Sequence, residues 1–215
     1  DIAVLDAELT VGLPPSVTAA TGVDAMVHAI EAYTSRLRKN PYSDMLAARA
    51  LELLSKNIVP AVWDGDNVSA REGMLLGAML AGQAFANAPV AAVHALAYPL
   101  GGHFHVPHGL SNSLVLPEVL RFNADSAGHY YAELLNHLEK QDGPIKGFDS
   151  CMLFIKEIEE IIRAVELPTK LRECGVSAND LPLLARDAMK QERLLVNNPI
   201  PLTEKDAIAI YERVL

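Results

Sequence analysis

From Pro14-Pro15 onward the apolar residues of this chain recur three and four positions apart, and nowhere do they alternate over a strand-length run. A helix brings every third or fourth residue to one face, whereas a half-buried strand needs a period of two. A chain with only the first pattern must bury its apolar stripes helix against helix. The reading is therefore all-α, a bundle of about eight to ten helices at the lengths usual for globular domains.

Ser16 to Ala20 reads as a short helical turn, and Val23 to Leu37 as a helix striped by Val23, Met26, Val27, Ile30 and Tyr33. Helices follow over Tyr42 to Val62 and Ser69 to Ala86. The second is apolar nearly all round, which predicts a place at the centre of the core. Val93 to Phe104 reads as helix broken by Pro99 and Gly101-Gly102, and Pro107-His108-Gly109 as a loop leading into a helix through Leu120. Past Asn123 the chain is more polar, with helices expected at Ser126 to Leu138, Asp149 to Val165, Ala178 to Lys190 and Glu204 to Val214. Ser177-x-x-Asp180 and Thr203-x-x-Asp206 have the form of capping boxes. Asp142-Gly143-Pro144 and Gly147 mark a loop. Residues 1–14 read as the remnant of an interdomain linker, and 1–215 as one helical domain.

Composition narrows the partners. A content of 50% hydrophobic residues over 215 positions is ample for a core. A net charge of −9 argues against nucleic acid, because phosphate-backbone binding needs a basic surface. No apolar run reaches the ~18 residues of a membrane span. The start lacks the basic and apolar regions of a signal peptide. Cys151 and Cys174 are too few for a secreted disulfide framework and read as reduced structural thiols. The expected location is cytoplasmic.

Asp24 and His28 lie four apart on one expected helix, so they share a face and can grip one divalent ion. A bland reading competes, since Thr21-Gly22-Val23-Asp24 also has the form of a capping box. His94 sits in the apolar stretch Ala91 to Ala97, where a buried imidazole needs a partner. It is either a core histidine bonded to a carbonyl or a ligand. His108 is either a surface residue at a helix entry or a fourth ligand. Three imidazoles and one carboxylate suit iron(II), zinc, cobalt or nickel, but spacing alone does not make the segments meet. His103 and His105 extend such a site or line its mouth, while His129 and His137 read as solvated. Tyr98 lies one turn past His94 and faces the same way, either as a proton or hydrogen-bond donor or as a core aromatic.

Ala19-Ala20-Thr21-Gly22-Val23-Asp24-Ala25-Met26-Val27-His28-Ala29-Ile30-Glu31-Ala32-Tyr33, His94-Ala95-Leu96-Ala97-Tyr98-Pro99-Leu100-Gly101-Gly102 and Val106-Pro107-His108-Gly109 resemble the iron-containing alcohol dehydrogenase family. The similarity extends to Asn198-Pro199-Ile200-Pro201-Leu202-Thr203. The resemblance implies that Asp24, His28, His94 and His108 ligate the metal, usually iron(II) and in some relatives zinc. It places Phe85 and Asn87 in the segment lining the substrate pocket, and Tyr98 and His108 at the chemistry. Many relatives carry histidine where this chain has Tyr98, which leaves the proton relay open.

The implied reaction is interconversion of a small alcohol with its aldehyde or ketone, with hydride passing to or from NAD or NADP. Family members are longer and begin with an α/β dinucleotide-binding domain. No glycine-rich strand-to-helix turn occurs here, so the chain is expected to be the helical half, to bind metal, and to turn over poorly alone. An apolar face left open predicts self-association, hence a homo-oligomer. Two other readings remain: a glycerol dehydrogenase-like or dehydroquinate synthase-like relative, and a non-catalytic helical module whose metal is structural.

Overall fold

In the computed structural model, residues 2–138 and 148–215 are described, Phe148 by its backbone alone. They form nine α-helices and three 3-10 turns, with no strand among the described residues. The helices are α1 (Pro15–Tyr33), α2 (Pro41–Trp63), α3 (Val68–Asn87), α4 (Ala92–Phe104), α5 (His108–Leu135), α6 (Phe148–Ala164), α7 (Leu181–Ala188), α8 (Glu192–Leu195) and α9 (Glu204–Val214). The all-α reading and its helix number hold. The loop expected around Gly143 and Gly147 lies outside the described residues. No single described helix is long and apolar enough to cross a membrane.

The centre of the bundle is α1, not α3. From Thr18 to Ala32 nearly every α1 residue is buried, and α2, α3 and α5 all pack on it. Its small residues let neighbours approach from several sides: Ala19, Ala29 and Ala32 are fully buried, and Val23, Met26 and Ile30 fill the gaps. Each large apolar side chain buried in this way contributes about 1.5–3 kcal/mol. The α3 helix buries only Ala70, Arg71, Gly77, Ala81 and Ala84 and leaves Leu76 exposed on the outside. Apolar residues all round did not place it at the core, because composition does not say how many partners a helix finds.

Three expected breaks do not occur. Ser16 and Val23 belong to one helix, which starts on Pro15 at a position where the missing N–H is not needed. Thr21 lies inside it and donates its hydroxyl to the Val17 carbonyl, so Thr21 and Asp24 form no capping box. Pro99 and Gly101-Gly102 are carried within α4, which ends on His105 in the left-handed conformation (φ 55°). The α5 helix runs through Pro117 and past Asn123. Asn123 ends nothing because its amide exchanges two hydrogen bonds with the Asn198 amide, at 3.0 and 2.8 Å. That pair ties the C-terminal segment to the middle of α5. Tyr211 on α9 closes the bundle by donating to the Leu96 carbonyl at 2.6 Å.

Both predicted capping boxes form. Thr203 and Asp206 start α9, while Ser177 and Asp180 start a 3-10 turn that leads into α7. The stretch expected as one helix from Ala178 to Lys190 is therefore split. Within residues 1–14, Ala7–Thr10 makes a 3-10 turn that packs on α3.

Candidate metal centre

Three helices bring four side chains to one point. Asp24 and His28 come from successive turns of α1, His94 from the first turn of α4 and His108 from the first residue of α5. One ligand-capable atom from each lies within 4.8 Å of all the others. Asp24 Oδ1 is the hub, 3.6 Å from His108 Nε2, 3.7 Å from His94 Nε2 and 4.0 Å from His28 Nε2. The site is graded in depth. The His94 side chain is 2% exposed and that of His108 is 48% exposed, so the cluster opens to the surface on the α5 side.

The electrostatics of the imidazoles differ. Burial pushes the His28 pKa down, with Asp24 opposing and the neighbouring His94 adding to the fall. Burial also acts to lower that of His94, but the hydrogen bond and charge of Glu31, aided by Asp24, outweigh it and the net shift is upward. The buried His94 Nε2 has no hydrogen-bond partner. Its nearest charged neighbour is a carboxylate, which offers no hydrogen. A buried lone pair so placed is costly unless a cation meets it, so the donor set fits a divalent metal.

Two unforeseen side chains touch the cluster. Glu31, 4% exposed, accepts from His94 Nδ1 at 2.7 Å and from the Val93 backbone N–H at 2.7 Å. Asn112, fully buried and four residues past His108, donates its amide to Asp24 Oδ1 at 2.5 Å and to His108 Nε2 at 3.2 Å. The signals were present in the sequence. Glu31 is an acid in the apolar run Ala29-Ile30-Glu31-Ala32, and Asn112 shares the helix face of His108.

The other expected residues divide. Phe85 stacks on His28 with ring centroids 4.7 Å apart. Tyr98 lies 6.3 Å from the His94 ring and 5.8 Å from the His108 ring. Asn87 is exposed and donates back to Gln83 on its own helix. His103 turns away to pair with Asp187 at 2.5 Å, and His105 is exposed as the α4 cap. Neither joins the cluster. A mostly apolar cavity of about 660 Å³ opens against Asp24 and His108, walled by Trp63, Leu110, Val165 and Pro168.

This arrangement can be set beside known proteins. Residues 18–215 match the model of the Fe-containing alcohol dehydrogenase family, C-terminal. The chain belongs to the iron-containing alcohol dehydrogenase family. Within that family it is 43% identical over 212 residues to long-chain-alcohol dehydrogenase 1 of Geobacillus thermodenitrificans, covering 99% of this chain and 53% of that protein. The crystal structure of a 1,3-propanediol oxidoreductase superposes with a TM-score of 0.94 at 35% identity, covering 98% of this chain and 55% of the other. Sulfoacetaldehyde reductase from Bifidobacterium kashiwanohense, solved in complex with NAD+, matches with a TM-score of 0.85 at 28% identity, over 97% of this chain and 53% of that one. The chain thus spans about half the length of these family members.

Proposed function

We propose that this chain is the metal- and substrate-binding half of an NAD(P)-linked alcohol dehydrogenase. Asp24, His28, His94 and His108 hold iron(II), with zinc as the alternative. The observation that carries the reading is the convergence of four ligand atoms, one of them a buried imidazole nitrogen with no hydrogen-bond partner. A bound divalent ion supplies Lewis acidity at the alcohol or carbonyl oxygen.

The chain's own side chains do the rest. Phe85 walls the site beside His28 and excludes water from it. The cavity against Asp24 and His108 gives room for the substrate's carbon skeleton. The Tyr98 hydroxyl holds a hydrogen bond to the substrate oxygen and carries its proton. His108, the most exposed of the four, lies on the route to solvent. NAD or NADP, when bound, would supply or take up the hydride, and alignment of the two carbons would account for much of the rate. The family members' range, from 1,3-propanediol and sulfoacetaldehyde to long-chain alcohols, supports an alcohol or aldehyde as substrate.

Anaerobic loading with iron(II), followed by metal analysis of the parent and of His108→Ala, tests this. About one equivalent in the parent and far less in the variant is expected. A parent that retains no metal would overturn the reading. In the cobalt(II) form, a visible spectrum that responds to 1,3-propanediol or a longer alcohol is expected, and an unresponsive one would favour a closed structural ion.

A further inference from the structure

We infer that Glu31 is a positioning residue of this centre: its carboxylate fixes the tautomer of His94 and aims Nε2 at the point shared by Asp24, His28 and His108. The inference rests on the metal reading above.

Four observations support it. Glu31 follows Asp24 by seven residues and His28 by three, so all three project from one face of α1. One helix therefore carries two donors and the group that holds a third. Second, Glu31 is 4% exposed and both of its oxygens are engaged, Oε1 by the Val93 N–H and Oε2 by His94 Nδ1. Third, a carboxylate only accepts, so in the neutral imidazole the hydrogen lies on Nδ1 and the lone pair on Nε2. Fourth, that Nε2 is buried without a partner, 3.7 Å from Asp24 Oδ1. An imidazole pinned by a carboxylate on one nitrogen, with its other lone pair aimed at further donors, is oriented for a cation.

Glu31 also has a structural task. The α4 helix begins at Ala92, and Ala91 offers no side chain to cap it. The Val93 N–H is one of the unpaired amides of that first turn, and Glu31 satisfies it from another helix. A purely structural Glu31 would act through this bond alone. The two roles separate in Val93→Pro, which deletes the N–H at a position where proline is tolerated and leaves the His94 bond in place.

The experiment uses the chain with 15N-labelled histidine, His94→Gln assigning the His94 signals. Long-range proton–nitrogen correlation on metal-free protein, at a pH where the imidazoles are neutral, reads the His94 tautomer. Cobalt(II) titration in competition with a chelator reads affinity. In the parent we expect the Nδ1–H tautomer. Glu31→Gln cannot accept at both contacts, and we expect it to lose that tautomer and to weaken cobalt binding about 10–100-fold. Val93→Pro should keep both at parental values while lowering the unfolding temperature.

Glu31→Gln with parental tautomer and affinity would overturn the inference. So would equal losses in Val93→Pro. If Glu31→Gln fails to fold, Glu31→Asp draws the carboxylate back by one methylene and should weaken cobalt binding; unchanged affinity there overturns it too. A parent that binds no cobalt, with a His94 tautomer that still follows Glu31, would sink the metal reading and leave the orienting role standing.

Discussion

Gly109→Ala is the substitution that most directly tests how the centre is built. Gly109 is the second residue of α5, next to His108, and it faces the α1 backbone one turn before Asp24. A Cβ there would lie 2.7 Å from the Ala20 carbonyl carbon, closer still to its oxygen, and 3.3 Å from Asp24 Cβ. The first distance falls about 0.7 Å short of the 3.4 Å at which ordinary van der Waals contact begins. The obstacle is backbone inside a packed helix pair, so no rotamer change relieves it. The helices must separate by at least that amount, since the oxygen is nearer still, and overpacking of this kind costs about 1–3 kcal/mol.

For a chain of this size such a loss lowers the unfolding temperature by roughly 2–12 °C. The separation also acts on the site, because α1 carries Asp24 and His28 while α5 carries His108. Ligand distances tolerate about 0.2 Å, so metal affinity should fall on the order of tenfold or more. Calorimetry of the metal-free chain and a zinc competition titration measure the two effects. Gly22→Ala serves as a comparison, since the atoms nearest its new Cβ belong to the Met74 and Ile58 side chains and not to backbone. If Gly109→Ala melts with the parent and binds zinc as tightly, the close approach of α1 and α5 does not set the geometry of the centre.

Gly82 lies within α3 with no atom within 4 Å of an added Cβ, so Gly82→Ala should stabilise by about 0.5–1 kcal/mol, and a drop in urea midpoint would contradict that. Asn198→Ala leaves the buried Asn123 amide without its reciprocal partner and should cost about 1–3 kcal/mol. A double-mutant cycle with Asn123→Ala should return a coupling energy, and simple additivity would show the pair to be idle. Burial raises the phenol pKa of Tyr33, Tyr131 and Tyr211 above the usual range, with a hydrogen bond to Glu133 adding to it at Tyr33. Their stabilising contribution is full below about pH 10 and is lost as pH rises through the raised values. Absorbance at 295 nm should therefore show Tyr33, Tyr131 and Tyr211 resisting ionisation until the fold opens. Ionisation of these three near pH 10 in a chain still helical by circular dichroism would refute this.

Much of the molecule is legible locally. The helical class, the start of α9 at Thr203 and the shared face of Asp24 and His28 follow from spacing, because a helix repeats on a scale shorter than the motif. His94 is conspicuous as a polar residue in an apolar run, and the family resemblance assigned it a ligand role. Glu31 is as conspicuous by the same rule, but its partners lie on α4, so the spacing along α1 does not show its role. The breaks expected at Pro99 and after Asn123 failed for a related reason. Neighbouring helices satisfy what those residues leave open, as Asn198 does for Asn123.

What the sequence determined by itself is that this chain is helical and that α1 presents a carboxylate and an imidazole on one face. Tertiary structure decided that α1 and not α3 is central, that His94 and His108 reach the Asp24–His28 pair, and that His103 and His105 do not. The difference is physical. Helical periodicity is enforced within a turn by backbone hydrogen bonds, whereas the meeting of α1, α4 and α5 depends on how closely their surfaces fit. At Gly109 and Ala20 that fit rests on the absence of a single carbon atom, which no local rule of spacing describes.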